Sequence, residues 1–562
     1  AGKPLVFCGT IGTLPQTLPD GREGKSKGAK AGDKIYVLGG AVGADGIHGA
    51  TFSSMELNED SPATAVQIGD PLTQKRVMDF LLRARDLGLY TCVTDNGAGG
   101  ISSSIGEMAE LTGGAKIDLN LHPRKYPGLS PWEIMISESQ ERMTVAVNEK
   151  NCDVFEKLAE SSGVEATCLG EFTDSGALDI YYKDKRVAYL NMDFLHDGVP
   201  KLKLKAKGNT SFTGNTWVDF PKEKLPSKKS EILTLLLNKE NIASKDHWVR
   251  QYDHEVQGAT ISKPFPGKQG ISPGDSGCLD LEIHGGEADS MATVGCGLAP
   301  RWSQENAELM AKLSVDEAVR NIMASGTNPD KICLLDNFCW PDPVETEKNP
   351  EGSYKLGQLV DTCRGLFDIC KLYKTPLVSG KDSMKNDFRV KNRGGDDLVI
   401  SIKPTLLVTA MGHGKKSQIV RSPVRKAGVH LYRFGSFQST LLWSECHETF
   451  GDEVLATEGN PKYYEMWDFS KCYKHYQGLY KIIQKGVVHN LHDLSDGGLA
   501  VALAEVLFDG GFGFEGDIPE TMTELFGEGP GQFVLGIEEN KRDEFDDLIK
   551  QMELEVSYLG RS

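Results

Sequence analysis

The sequence predicts an α+β fold that is built twice, with two kinds of domain alternating along the chain. Three observations predict it. Lys3-Pro4-Leu5-Val6-Phe7-Cys8-Gly9-Thr10-Ile11-Gly12 has a counterpart at Lys403-Pro404-Thr405-Leu406-Leu407-Val408-Thr409-Ala410-Met411-Gly412. Asp95-Asn96-Gly97-Ala98-Gly99-Gly100, with Glu107 after it, returns as Asp493-Leu494-Ser495-Asp496-Gly497-Gly498 with Glu505, and Tyr36 and Gly39 answer to Tyr432 and Gly435. Each glycine turn stands between an apolar strand and a helix, an arrangement that sets backbone N–H groups and a helix N-terminus beside a ligand. The order reads as the end of A, then B, A′ and B′, with boundaries at 1–24, 25–208, 209–415 and 416–562. The stretch ahead of Lys403 has no partner ahead of Lys3, so the pattern predicts a further A-type domain upstream of residue 1.

The elements follow in order. Residues 1–15 read as a strand alternating around Leu5, Phe7 and Thr10, and the polar Asp20–Gly32 stretch reads as a linker. Lys34–Leu38 is a strand, and glycines follow at 40, 43, 46 and 49. Residues 71–87 open on Pro71 and carry Val77, Phe80 and Leu81 on one face, which predicts a helix. A strand at Leu89–Val93, the Asp95–Gly100 turn and a helix over Ile101–Leu111 complete the unit. After a Lys-rich connector to about Asn215, A′ begins. B′ repeats the unit with a strand at Val487–His492 and a helix at Leu499–Leu507.

The chain has 562 residues, too many for one core. Its 62 Lys and Arg against 80 Asp and Glu give a net charge of −18, which argues against nonspecific nucleic-acid binding. No apolar run approaches the roughly 20 residues of a membrane helix, and the N-terminus has no signal-peptide pattern. The 12 cysteines are scattered without a CxxC pair, as expected of buried thiols in a reducing cytoplasm. Ala1 is not an initiator Met, and both ends read as cuts through a longer polypeptide.

Several clusters point to chemistry, each beside a plainer structural reading. Gln67 ends an extended segment and offers an amide to a ligand; alternatively Asp70 caps the next helix and Gln67 is solvated. Asp95 at a strand end before a glycine turn suits a hard cation, or forms an Asx turn. Asp496 adds an acid to the second turn, ill suited to phosphate, so the two copies have diverged. Ser137-Glu138-Ser139-Gln140-Glu141-Arg142 packs polar groups between apolar segments, which need a ligand or one another. Glu317 and Asn321 stand four apart on a helix and project from one face, toward Mg²⁺ or toward solvent. Asp336 ends a buried strand, where ligands collect in layered folds. Ser379-Gly380-Lys381-Asp382-Ser383 follows a strand and joins a permissive glycine, a cation and a carboxylate, without forming a Walker P-loop.

GGAVGADGIHGATFSS, VQIGDP, TDNGAGGISSSIGEMAE, SESQERM, LLDNFCW and SGKDSMKND stand in the order seen in phosphoribosylformylglycinamidine synthases, and the resemblance covers essentially the whole chain. It implies a tandem duplication of the aminoimidazole-ribonucleotide-synthetase-like fold, with alternating N-type and C-type domains. It implies an ATP-dependent carbon–nitrogen ligase of purine biosynthesis, which converts formylglycinamide ribonucleotide, ATP and glutamine-derived ammonia to the amidine, ADP and phosphate. A glutaminase domain or subunit is the implied partner. By motif, Gln67, Glu138, Ser139, Gln140 and Ser383 contact the ribonucleotide; Asp336, Gly380 and Lys381 meet ATP; Asp95, Glu317, Asn321 and Asp382 hold Mg²⁺.

Two departures matter. Many short-form members have Asn where Lys381 stands, and an ammonium cannot ligate Mg²⁺, so that duty passes to Asp382 while Lys381 meets phosphate. The family's catalytic histidines lie in an SHNH-type motif that is absent here, so no catalytic residue is assigned and the upstream domain is expected to supply them. None of the 12 histidines replaces them. The chain alone is therefore expected to be inactive. The rival readings are a noncatalytic nucleotide-binding scaffold and another small-molecule kinase or ligase of the same superfamily.

Overall fold

In the computed structural model, which describes residues 7–47, 69–208, 221–252, 254–255, 257–391, 395, 397–457 and 463–562, the chain divides into two units. One comprises residues 14–203; the other comprises residues 1–13 and 204–562.

The 14–203 unit is organised by β1 (Lys34–Gly39), whose side chains alternate between two cores. Ile35 and Val37 join Ile101, Ile105, Met108 and Ala109 of the helix Gly100–Thr112. Tyr36 and Leu38 face the helices Pro71–Asp86 and Cys152–Ser161, where Phe155 packs on Tyr36 and Phe80. Both faces are covered, so β1 reads as a continuous apolar run rather than an alternating one. Its sheet also holds β2 (Cys92–Asp95), β3 (Ala115–Asp118), β4 (Arg142–Val147), β5 (Ala166–Phe172), β6 (Ala177–Tyr182) and β7 (Lys185–Asn191), in the order β2-β4-β1-β5-β3-β6-β7. The predicted helix starts where expected. Asp70 accepts from the Leu72 N–H at 3.0 Å and from Thr73 Oγ1 at 2.7 Å, with Pro71 in the first turn. The plainer reading of Asp70 holds, and Gln67 lies outside the described residues. The polar Asp20–Gly32 stretch is pinned rather than loose: Arg22 Nη1 donates to the Thr91 carbonyl at 2.8 Å, and the Gly28 N–H to the same carbonyl at 3.0 Å.

Among the described residues the second unit holds two large sheets and a two-stranded one. The first, in the order β12-β11-β15-β10-β9-β8, comprises β8 (Thr260–Ser262), β9 (Gly277–Asp280), β10 (Ser290–Leu298), β11 (Ile332–Cys339), β12 (Leu377–Ser383) and β15 (Thr405–Lys415). A separate hairpin pairs β13 (Asp387–Lys391) with β14 (Asp397–Ser401). The helix Ala307–Met323 lies close on β10, where Gly297 makes room: a Cβ there would stand 2.3 Å from the Ser314 carbonyl oxygen. The second sheet runs β17-β19-β16-β20-β18, from β16 (His430–Gly435), β17 (Val488–Asp493), β18 (Glu515–Gly516), β19 (Gln532–Ile537) and β20 (Val556–Arg561). One core joins the two sheets, from Met310, Val315 and Val319 through Tyr373 to Tyr476 and Phe533.

The order β17-β19-β16-β20-β18 repeats β2-β4-β1-β5-β3 strand for strand. Both copies carry a register shift at the same point, between Ile35 and Tyr36 and between Leu431 and Tyr432. Both end the central strand on a glycine at positive φ, Gly39 and Gly435. A Cβ there would fall 2.0 Å from the Glu141 carbonyl oxygen and 1.9 Å from that of Gly531. The fold is thus α+β and duplicated, as expected.

Two expectations are corrected. Residues 7–15 form no strand, although their counterpart β15 does. β15 is bonded on both sides, to β10 and β11, and alternation without such neighbours leaves the backbone unladdered. The Ser379–Ser383 motif does not follow a strand but lies inside β12, at the edge of its sheet, with Gly380 opposite Asp336. Among the described residues no helix is long and apolar enough to cross a membrane.

Candidate functional site

In the 14–203 unit, Asp95 ends β2 and is exposed. Its Oδ1 accepts from the Gly97 N–H at 2.8 Å, the Asx turn of the plainer reading. Gly99 and Gly100 then take φ of 79° and 57°, which turns the chain into the helix Gly100–Thr112 without any side-chain cap on its first turn. Those first-turn amides are the groups a helix N-terminus offers to an anion. Behind the turn Asn96 is buried and accepts from Thr144 Oγ1 at 2.7 Å.

The 137–140 segment meets this turn directly. Glu138 Oε1 accepts from the Gly99 N–H at 3.1 Å, and the Glu138 N–H donates to the Asp45 carbonyl at 2.8 Å. Ser139 Oγ donates to Asp45 Oδ2, which Lys125 Nζ also approaches at 2.7 Å, and it accepts from the Gly43 N–H at 3.0 Å. Against the effect of burial, the Lys125 ammonium and the Ser139 hydroxyl hold the Asp45 carboxyl below its ordinary range. Gln140 is exposed, with Nε2 donating to the Glu138 carbonyl at 3.2 Å. The structure therefore brings Asp95, Glu138, Ser139 and Gln140 together around one glycine turn.

The second turn keeps the backbone and changes the charges. Gly497 and Gly498 repeat the φ values, 82° and 66°, ahead of the helix Gly498–Phe508. The Gly497 N–H donates to Glu528 Oε1 at 2.8 Å, so Glu528 is the counterpart of Glu138. In front of this turn lies Arg301, whose guanidinium bonds Glu445 at 2.5 Å, Asp496, and Glu528 at 3.2 Å. Burial, with Asp496 close by, outweighs Arg301 and pushes the Glu528 carboxyl up to about 8. Asp493 is buried, accepting from Arg320 Nε at 3.2 Å and Ser495 Oγ at 2.6 Å. Ser495 Oγ also stands 3.3 Å from Glu317 Oε1, while Glu317 Oε2 accepts from the Leu298 N–H at 2.9 Å. Burial first, then Asp496, pushes Glu317 up to about 7. Asn321 stays one turn along, with Nδ2 on the Cys296 carbonyl at 2.8 Å.

On the other edge of the sheet, β11 and β12 run parallel and set Asp336, Gly380 and Asp382 near one another. A Cβ on Gly380 would stand 2.5 Å from Asp336 Oδ1, and burial, helped by the Asp382 charge, raises the Asp336 pKa. Lys381 is exposed, and Ser383 is half-buried where the Trp340 N–H donates to its carbonyl at 2.8 Å. The four metal candidates thus fall into three places. Glu317 and Asn321 share a helix face over β10, whereas Asp382 pairs with Asp336 on β11–β12, three strand spacings of about 4.8 Å away. Asp95 stands in the other unit. Carboxylate and amide oxygens are the donors that Mg²⁺ takes, so Glu317 with Asn321, and Asp382, carry chemistry that fits the ion.

Three features escaped the sequence reading. Glu528 was hidden because the Gly-to-Glu separation is 39 residues in the first copy and 31 in the second, which breaks the repeat offset. Arg301 is 144 and 195 residues from two of its partners, beyond any local pattern. Asp275, His492 and Asp493 form a buried group with ligand atoms close together. Both nitrogens of His492 are engaged, Nδ1 with Asp275 at 2.6 Å and Nε2 with Glu505 at 3.0 Å, so the imidazole is held protonated by two carboxylates.

The chain matches the family model for the C-terminal domain of AIR synthase related proteins twice, at residues 30–183 and 469–562, and the N-terminal-domain model at residues 274–413. It is 32% identical over 545 residues to the phosphoribosylformylglycinamidine synthase subunit PurL of Thermococcus sibiricus, covering 95% of this chain and 69% of that protein. Against the same subunit of Leuconostoc mesenteroides it is 30% identical, covering 98% and 69%. The fold is similar to that of PurL from Thermotoga maritima complexed with FGAR, with a TM-score of 0.64 and 20% identity over 95% of this chain and 72% of that one. It is also similar to PurLQS of the same organism, with a TM-score of 0.63 and 18% identity over the same shares. Alternating domains, both glycine turns and a relative this similar across 95% of the chain place it in one group: the chain belongs to the phosphoribosylformylglycinamidine synthase family, among the PurL subunits.

Proposed function

We propose that the chain carries the synthetase chemistry of that family, converting formylglycinamide ribonucleotide, ATP and ammonia to formylglycinamidine ribonucleotide, ADP and phosphate. The observation that supports it most is the 32% identity to PurL across 95% of the chain, with Asp95, Glu138, Ser139 and Gln140 about one glycine turn and Asp336, Gly380, Lys381, Asp382 and Ser383 on one strand pair. In this reading Gln67, Glu138, Ser139, Gln140 and Ser383 contact the ribonucleotide, and Asp336, Gly380 and Lys381 meet ATP. The domains run 1–24, 25–208, 209–415 and 416–562, the protein works in the cytoplasm, and a glutaminase domain or subunit supplies ammonia.

The chemistry divides into two balanced steps. The amide oxygen attacks the γ-phosphorus of ATP and releases ADP, giving an O-phosphoryl imidate. Ammonia adds to that carbon and phosphate leaves with the former amide oxygen. Lys381, exposed on an edge strand, offers a mobile point charge to a transferring phosphoryl group. Glycine at 380 leaves room for the Asp336 carboxylate against β12, and the uncapped first turn at Gly100 offers N–H groups to an anion. The 137–140 segment orients the amide, which matters because placement of reactants supplies much of the rate. Asp95, Glu317, Asn321 and Asp382 would hold Mg²⁺, which supplies charge neutralisation on phosphate oxygens. His492, locked between Asp275 and Glu505, takes no proton-transfer part.

The test is ADP release from MgATP in the complete polypeptide, with and without FGAR and ammonium. Release that needs both is the expected result. Release indifferent to FGAR assigns a different acceptor, and nucleotide retained without turnover assigns a scaffold.

A further inference from the structure

Beneath the 137–140 segment lies a buried pair with no part in the chemistry above. Arg142 is 4% exposed and His122 2% exposed. Arg142 makes no ion pair among the described residues; instead Nε donates to the Ser139 carbonyl at 2.8 Å and Nη2 to the Ser137 carbonyl. These two carbonyls flank Glu138. The guanidinium's third direction is taken by His122, whose Nε2 stands 3.4 Å from Arg142 Nη1 while Nδ1 stands 3.1 Å from the Pro123 carbonyl. That pattern fixes the tautomer: Nδ1 carries the hydrogen and Nε2 accepts. Burial, and then Arg142 itself, push the His122 pKa down to about 4, so the ring is neutral and able to accept.

A buried guanidinium without a carboxylate contact is an expensive way to fill space. The second copy builds that place differently, taking its buried guanidinium, Arg433, from the neighbouring strand β16. Arg142 stands opposite Gly39, and Gln532 stands opposite Gly435, in the same register. The loop above Gln532 reads Gly527-Glu528-Gly529-Pro530 and lacks both serines. Arg433 is turned to side chains, with Nε donating to Gln532 Oε1 at 3.0 Å and Nη2 to Ser439 Oγ at 3.0 Å, whereas Arg142 binds the carbonyls of the loop that carries Ser137 and Ser139. Its planar fork matches two carbonyls that are two residues apart, which an ammonium cannot do.

We propose that Arg142, seated on His122, is a positioning residue that fixes the carbonyls of Ser137 and Ser139 so that Glu138 and Gln140 present their side chains to the ribonucleotide. The proposal rests on the reading of that segment as a substrate contact. Four variants of the complete protein test it: Arg142→Lys, Arg142→Gln, His122→Gln and His122→Leu. Each is measured for the KM of FGAR, the KM of ATP, thermal unfolding and amide hydrogen exchange. Arg142→Lys and Arg142→Gln are expected to raise the FGAR KM about tenfold or more and leave the ATP KM within about twofold. Exchange should quicken at 137–141 and stay unchanged elsewhere in the 14–203 unit. His122→Gln, whose side-chain oxygen accepts from Arg142, should stay near wild type, and His122→Leu should follow the Arg142 variants. An unchanged FGAR KM with unchanged local exchange in Arg142→Lys overturns the proposal. So does a loss of protection spread over the whole unit, which would make Arg142 an ordinary core residue. If the wild type shows no FGAR-dependent turnover, the functional reading falls, and local exchange alone decides the role of Arg142.

Discussion

At the first glycine turn the carboxylate of Asp95 is exposed, with the exposed Gln140 and the half-buried Glu138 on the segment that meets the turn. At the second, Asp493 is buried against Arg320, and Arg301 fills the corresponding space with one guanidinium shared by Glu445, Asp496 and Glu528. The backbones are the same down to the register shift, the two positive-φ glycines and the N–H donated to a glutamate. Duplication therefore preserved the turn, while the charges in front of it diverged. The first copy is left with Asp95 and Gln140 exposed, and the second uses its carboxylates to hold the unit together. The difference teaches that backbone likeness alone does not assign a ligand site; what neutralises the groups at the turn does.

The largest effect should come from Arg301. Arg301→Met strands three carboxylates around a cavity, and breaking a buried ionic group in this way costs about 3–5 kcal/mol. The cost depends on pH, with a definite sign. Glu528 keeps its proton in the folded state up to about 8, whereas the unfolded chain releases it near the ordinary 4.5. Between those values the folded state binds more protons, so stability falls as pH rises. Removing Arg301 enlarges that slope. Urea unfolding at several pH values should show the variant's deficit smallest near pH 5 and growing toward pH 8. A deficit flat across this window would mean that Arg301 packs rather than neutralises.

Next is the pair of turn aspartates. Asp493→Asn removes a buried partner of Arg320, although Asp316 still holds that guanidinium at 2.7 Å, so a loss of about 2–3 kcal/mol is expected. Equal losses from Asp493→Asn and Asp95→Asn would erase the comparison.

Gly100→Ala and Gly498→Ala should instead behave alike. Both glycines have positive φ, and an added Cβ would fall 2.2 Å from the Ser137 carbonyl oxygen in one case and 2.6 Å from that of Gly527 in the other. A loss of about 2 kcal/mol is expected for each. A loss in only one copy would show that the shared backbone is not equally enforced.

The sequence carried the parts of this fold that depend on local signals. Asp70 before Pro71 marked a helix start, and Gly99-Gly100 marked the turn, because a cap or a positive φ is a demand on one or two residues. Residues 7–15 alternate like a strand but have no ladder to join, and alternation cannot say whether a neighbour is present. β12 continues through Ser379–Ser383 because β11 beside it carries the ladder onward, a parallel pairing that no local signal marks. Glu138 was legible from its motif. Its counterpart Glu528 was not, because glycine and proline replaced the residues around it and the intervening chain is shorter. Arg301 was silent because an arginine's partners are chosen by the tertiary fold and its own lie far along the chain; Arg142 stood in the polar cluster that needed partners, but that these are main-chain carbonyls was not legible.

The smallest stability effect should be that of Asp95→Asn, and it is the most discriminating. Asn retains an oxygen to accept from the Gly97 N–H, so the Asx turn survives and unfolding should shift by no more than about 0.5 kcal/mol. What changes is the charge on an exposed oxygen pair at a strand end. If that carboxylate holds Mg²⁺, the concentration of Mg²⁺ needed for half-maximal FGAR-dependent ADP release should rise about tenfold in the variant, because an amide is a weaker ligand for a hard cation. A variant with unchanged stability and unchanged Mg²⁺ requirement would reduce Asp95 to the turn-former that its hydrogen bond already makes it. The contrast with Asp493 would then rest on burial alone.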